Sequence, residues 1–141
     1  MPYFDDVKAG DTLPTLTKGP VTRQHLVEWC AAENDYYHLH YDERVAARMK
    51  LPGTPIQGTY KFAMLGQLVG RWLGGSGELV RIDCAYKDLS LEGDTLTAGG
   101  SVARCEPGAA GGAVTLELWV ANGDGTRSTL ATAHVRLPRR A

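Results

Sequence analysis

Two carboxylates and two imidazoles fall within one short stretch, Asn34-Asp35-Tyr36-Tyr37-His38-Leu39-His40-Tyr41-Asp42. A carboxylate and an imidazole rest in different protonation states at neutral pH, so together they can remove one proton and deliver another in a single turnover. Asp35 and His40 are five positions apart. On a regular helix they diverge, but in a loop that wraps back on itself both can reach one water molecule. Each also has a structural use: Asp after a helix often caps a turn, and a histidine can be a hydrogen-bonded core residue. His38 suits a loop or pocket rim, and Asp42 suits the N-cap of a following helix. Tyr36, Tyr37 and Tyr41 are equally suited to packing and to a pocket wall, and Gln57 to substrate contact or structural hydrogen bonding. His25 and His134 read as structural.

These residues need a loop held between helices, and the flanking sequence supplies one. Thr22 precedes a helical pattern through 24–31, with Leu26, Trp29 and Cys30 at helical spacing. A second short helix starts from Asp42 over 43–49. Proline and glycine at 51–55 end it and force a loop. The longest helix then runs from 58 to about 73, where Phe62, Leu65, Val69 and Trp72 recur at helical spacing. Glycine costs about 1 kcal/mol in a helix interior, so Gly66 and Gly70 there, with Ala63, imply close approach to another backbone.

After the breaker cluster 74–77 the period changes to alternation. Strands are expected over 78–89, 95–105, 113–121 and 128–137, with turns at 91–94, 106–112 and 122–125. The last three form an antiparallel meander, and a short strand within 1–20 packs on a sheet edge. One long helix and this many antiparallel strands make an α+β fold, a curved sheet wrapped around a central helix that is buried along its length. A single domain over 1–141 is expected, since no repeat or linker is visible. Pro138-Arg139-Arg140 reads as a mobile basic tail.

Fifteen basic and sixteen acidic side chains leave a net charge of -1, which is not the basic balance of a nucleic-acid binder. Apolar runs are broken before a membrane-spanning length, and Asp5-Asp6 replaces a basic, apolar leader. Three cysteines without CxxC spacing suggest neither disulfides nor zinc but small buried hydrophobes. A cytoplasmic protein without a membrane segment follows. His38-x-His40 lacks the spacing of a helical zinc motif, and the glycine clusters 74–77 and 108–112 do not stand between a strand and a helix as a phosphate loop does. No metal or other cofactor is expected.

Over most of its length the chain resembles the MaoC-like acyl dehydratases and (R)-specific enoyl-CoA hydratases, whose fold is the hot dog, and the motif residues lie between Asp35 and Thr95. That family carries Asp-x-Asn-Pro-x-His-x-Asp, a small alanine-containing helix, a glycine-rich loop and a hydrophobic-His-Gly step into the central helix. Asp35, His40 and Asp42 keep the spacing; Ala46-Ala47, Leu51-Pro52-Gly53, Pro55-Ile56-Gln57-Gly58 and Glu92-Gly93-Asp94-Thr95 fall at the corresponding places. Tyr37-His38 stands where the family has Asn-Pro, and Gln57 stands where it has histidine. The resemblance implies a hydro-lyase adding water to, or removing it from, a trans-2-enoyl/(R)-3-hydroxyacyl thioester of coenzyme A or an acyl carrier protein. Asp35 and His40 would hold the water, Gly58 N–H would face the thioester oxygen, and Tyr36, Tyr37, His38 and Gln57 would contact substrate. It also implies a homodimer or a hetero-oligomer with another hot-dog subunit, and arginines such as Arg81, Arg139 and Arg140 near the nucleotide of coenzyme A. Two alternatives remain: a partner subunit that is non-catalytic or half-active, favoured by the departures at 37, 38 and 57, and a hot-dog thioesterase.

Overall fold

The computed structural model describes residues 1–140. Its first strand, β1 (Leu16–Lys18), is followed by α1 (Arg23–Glu33), α2 (Glu43–Arg48) and α3 (Gly58–Leu73), and then by β2 (Glu78–Tyr86), β3 (Leu96–Gly108), β4 (Gly111–Ala121) and β5 (Arg127–Pro138). The strands form one antiparallel sheet in the order β1-β3-β4-β5-β2. The meander of the last three strands and the edge position of the first short strand are as the sequence implies. β2 reaches the far edge by pairing with β5, with Ile82 opposite Ala133. Register shifts at Leu79/Arg81, Val102/Arg104 and Val120/Ala121 interrupt the ladders, and such bulges bend and twist a sheet.

Alternation along the strands gives the sheet one apolar face. Val114, Leu116, Leu118 and Val120 of β4 and Ala133, Val135 and Leu137 of β5 are buried, as are Met64, Leu65, Leu68, Val69 and Leu73 of α3, and all of these lie in the same core cluster as Val21 and Leu26. Burying a leucine or valine side chain contributes about 1.5–3 kcal/mol, so this contact between helix and sheet dominates the fold's stability. α3 ends on Gly74, whose left-handed φ of 56° lets its N–H reach Gly70 O.

Several sequence expectations are corrected. The buried stripe of α3 is centred on Met64, Leu65, Leu68 and Val69; Phe62 and Trp72 are only partly buried. Lys61 falls on that stripe and is buried. Gly66 and Gly70 do not meet a second backbone: a Cβ at either position would find nothing within 4 Å. With Gln67, Gly70 and Arg71 exposed, α3 keeps one open flank and is not buried along its whole length. The 106–112 loop is replaced by strand, because cross-strand pairing continues through Pro107 opposite Gly112 to Gly108 opposite Gly111, and ladder bonds override the local breaker signal. Nor is the C-terminal segment a free tail. Arg139 binds Asp5 and Arg140 binds Asp6, each at 2.7 Å. Cys30 is buried as expected, whereas Cys84 and Cys105 are half-buried free thiols.

Helix α1 begins as its sequence implies. Thr22 is the N-cap and accepts from His25 N–H, while Thr22 N–H donates to His25 Nδ1 at 3.0 Å. Two otherwise unpaired donors are thereby satisfied. Thr22→Ala is expected to lower stability by about 1 kcal/mol, read as a lower urea midpoint at unchanged slope.

Candidate functional site

Asp35 is placed by the end of α1. Asn34 takes the left-handed C-cap conformation at φ 56°, and Asp35 N–H donates to Cys30 O at 3.0 Å. This turn throws the chain back toward the helix it has just left. One Asp35 oxygen, Oδ1, accepts from Tyr37 N–H at 3.1 Å, which is the turn-capping use. Oδ2 has no hydrogen-bond partner among the described residues, and the side chain is exposed.

A 3-10 turn, His38–His40, follows, and His40 is fixed from outside it. Its Nδ1 donates to Pro55 O at 2.9 Å. A carbonyl can only accept, so Nδ1 carries the proton and Nε2 of the neutral ring is left as an acceptor. Pro55 is itself fixed, because its segment is stitched to the turn before β3. Ile56 N–H donates to Ser90 O at 2.7 Å, Glu92 N–H donates to Thr54 O at 2.8 Å, and Pro55 bridges Leu91. The imidazole is thus tied through backbone to the residues just before α3.

Tyr37 links the two groups. Its amide holds Asp35, its ring lies edge-on to the His40 ring at 6.1 Å between centroids and 86°, and its hydroxyl reaches Met49 Sδ at 3.6 Å. The remaining tyrosines and His38 lie further out. His38 is exposed against Tyr41, and Tyr41 O–H donates to Tyr36 O at 2.9 Å. Asp42 caps α2 by accepting from Arg44 N–H at 2.9 Å.

Gln57 and Gly58 start α3. Gln57 is buried, and its side-chain amide donates to Leu26 O at 3.1 Å and contacts Cys30 Sγ at 3.2 Å. Its NH2 therefore locks α1 to α3, a structural use of a residue expected at the substrate, while its buried Oε1 has no partner among the described residues. Burial pushes the Cys30 thiol pKa up, the Gln57 contact offsets part of that, and the nearby carboxylates of Asp35 and Glu33 add to it. Asp35 and the Gln57 amide thus act on the same sulfur in opposite directions. Gly58 opens the helix, and Gln57 provides no side-chain cap for its first N–H groups, which carry the positive end of the helix dipole.

The glycine at 58 makes room for an aromatic ring. A Cβ there would stand 2.7 Å from Tyr86 Cζ and 2.8 Å from its Cε2, so the phenolic end of Tyr86 lies on the Gly58 α-carbon. That end is desolvated although about half of the residue is exposed. Burial, then the Cys84 thiol and the Glu33 carboxylate, push the phenol pKa up to about 12. Lys61, one turn into α3, is 3% exposed and donates to Asp88 O at 3.1 Å. Burial pushes its pKa down, partly offset by Asp88. Tyr86, Lys61 and Glu33 escape the sequence reading. A lysine on an apolar helix stripe is the one signal available.

Because the folded Tyr86 phenol holds its proton more tightly than an unfolded tyrosine near 10, the stability it adds is complete below pH 10 and is lost as pH rises through about 12. In a titration of tyrosinate absorbance, the step present in wild type and absent from Tyr86→Phe should be centred near pH 12. A difference step near 10 contradicts the packing of this ring.

The arginines expected near a nucleotide are paired within the chain. Arg81 binds Asp83 through both Nε and a terminal nitrogen, at 2.6 and 2.8 Å, and Arg139 and Arg140 hold the N-terminal segment. A groove of about 950 Å3 lies on the outer face of the sheet beside Trp119, Arg127 and Leu130; Asp35, His40 and Gly58 do not line it. Among the described residues, no three His, Cys, Asp or Glu side chains converge as a metal site, and no helix is long and apolar enough to cross a membrane.

No family model and no curated protein sequence matches this chain. Solved structures do. The (R)-hydratase from A. caviae involved in PHA biosynthesis superposes with a TM-score of 0.84 at 20% identity, over 94% of this chain and 98% of that one. A MaoC-like dehydratase from Rhodospirillum rubrum gives 0.81 at 22% identity over 100% and 99%. The ChsH1-ChsH2 complex from Mycobacterium tuberculosis gives 0.81 at 20% identity over 92% and 98%. A five-stranded antiparallel sheet packed on one long helix, matched along nearly its whole length, gives this chain the hot-dog fold of the MaoC-like dehydratases and (R)-hydratases.

Proposed function

We propose that the chain is a hydro-lyase that adds water across the double bond of a trans-2-enoyl thioester, or removes it from the (R)-3-hydroxyacyl product. The observation that carries this reading is the His40 imidazole, held at Nδ1 by Pro55 O with its other nitrogen free to accept. Asp35 is joined to it through Tyr37 and retains an unengaged oxygen. In hydration, Asp35 takes a proton from a water shared with His40, and the water oxygen bonds to C3. The C2=C3 electron pair moves toward the thioester carbonyl, His40 Nε2 receives the water-derived proton from Asp35 and delivers it to C2, and the thioester is regenerated with both side chains back in their starting protonation states. Negative charge gathers on the thioester oxygen as C3 is attacked. Gly58 N–H, at the uncapped start of α3, is the donor for it, and a fixed donor at such a charge is worth several kcal/mol. Tyr36, Tyr37 and His38 form the outer wall of the substrate site, and the thioester is carried by coenzyme A or an acyl carrier protein.

A dimer, homo or hetero, completes the pocket. Asp35, Tyr36 and Tyr37 are exposed in the single chain. The second reading, a subunit that supports an active hot-dog partner, draws on the Gln57 amide, spent on α1 rather than on substrate, and on the likeness to a two-component complex. The thioesterase reading has no observation of its own.

The test incubates the purified chain, alone and with any co-purifying protein, with crotonyl-CoA, and follows enoyl absorbance beside free thiol. Loss of enoyl absorbance without thiol release is the expected result. Thiol release would assign a thioesterase, and activity that appears only with the co-purifying protein would assign the supporting subunit.

A further inference from the structure

Tyr86 is the last residue of β2, on the open edge of the sheet, and it does not belong to the core cluster. Its ring nonetheless has a defined seat. The Cζ, Cε1 and Cε2 atoms lie against Gly58, and the Lys61 ammonium stands 5.8 Å from the ring centroid, a cation-π distance. Lys61 is itself immobilised by burial and by Asp88 O. Tyr86 is 51% exposed, and one side of its ring rests on α3 while the other faces outward. Core packing does not require a tyrosine there. A half-exposed ring at the end of an edge strand can swing away about its side-chain torsions on a fast timescale.

We propose that Tyr86 is a specificity-determining residue, a movable wall beside the Gly58 amide that limits the size of acyl group able to bring its carbonyl to the start of α3. The inference rests on the hydro-lyase reading and deepens it. An acyl carbonyl that accepts from Gly58 N–H brings its neighbouring carbons into the space beside Gly58, which the Tyr86 ring borders. A short acyl group fits beside the seated ring, whereas a long one requires it to leave Gly58 and the Lys61 ammonium. Gly58 is the complementary half of the device, because any side chain at 58 would collide with the ring. The Oε1 of Gln57, a residue only 2% exposed at the same helix start, is a second polar atom there, without a donor among the described residues.

The test compares kcat/KM for crotonyl-CoA and trans-2-dodecenoyl-CoA in wild type, Tyr86→Phe, Tyr86→Leu and Tyr86→Ala, with circular dichroism confirming that each folds. Tyr86→Ala should raise the long-to-short ratio by about tenfold or more, the scale on which a few methylenes are discriminated, through a lower KM for the long substrate. Tyr86→Leu should move it in the same direction by less, and Tyr86→Phe should keep the wild-type ratio. An unchanged ratio in Tyr86→Ala or Tyr86→Leu, with wild type active, overturns the wall and leaves the hydro-lyase reading standing. A Tyr86→Phe ratio equal to that of Tyr86→Ala also overturns it, since the hydroxyl and not the ring would then be selective. Wild type inactive on both thioesters, alone and with any co-purifying protein, overturns the hydro-lyase reading and the wall together.

Discussion

Asp35→Asn and His40→Ala should each slow hydration of crotonyl-CoA by about a hundredfold or more, equivalent to about 2.7 kcal/mol of barrier. The two substitutions remove the proposed chemistry with different structural consequences. An asparagine in place of Asp35 would keep an oxygen that can accept from Tyr37 N–H, so the turn after α1 survives while the base is lost. His40→Ala also removes the donor to Pro55 O, and an unsatisfied carbonyl in a buried segment costs about 1–3 kcal/mol. The pair therefore separates catalysis from positioning. Equal losses in both variants, with unchanged circular dichroism, identify a base and an acid acting on one water. A large loss in His40→Ala alone would reduce that residue to a strut for the 51–57 segment, and near-normal turnover in either would move the proposed chemistry elsewhere.

Leu65→Ala should cost about 2–5 kcal/mol of stability, the largest single effect expected outside the site. Leu65 is fully buried in α3, within the cluster that includes Leu96, Leu116 and Val120. Those cluster residues are held by sheet ladders, which limits collapse into the space left behind, so both transfer energy and cavity energy are lost. Urea unfolding followed by circular dichroism is the measurement, read as a lower midpoint at unchanged slope. A loss below about 1 kcal/mol would mean that α3 is not the element the sheet packs on. Because α3 also presents Gly58, a destabilised variant should lose activity near its unfolding midpoint and not far below it.

Sequence alone determined the features that depend on neighbours along the chain. Thr22 and Asp42 cap helices because a short oxygen-bearing side chain meets the free amides one turn ahead, and that geometry is local. Alternation in β3, β4 and β5 and the run of apolar residues in α3 specified the sheet-and-helix architecture, since each pattern has one way to bury its apolar side. The Asp35-to-His40 spacing drew attention to its loop through residue chemistry alone.

Tertiary structure decided everything that depends on contacts between distant segments. His40 is oriented by the Pro55 carbonyl, Gln57 is turned inward by Leu26 and Cys30, and Gly58 is roofed by Tyr86, whose strand lies at the far edge of the sheet. The ion pairs of Arg139 and Arg140 join opposite ends of the chain, and Gly66 and Gly70 face open space where periodicity implied a neighbour. A periodic pattern says that a face is apolar or small. What occupies that face depends on strand order and loop closure, which place residues such as Gly58 and Tyr86 in contact without leaving a mark in either local sequence.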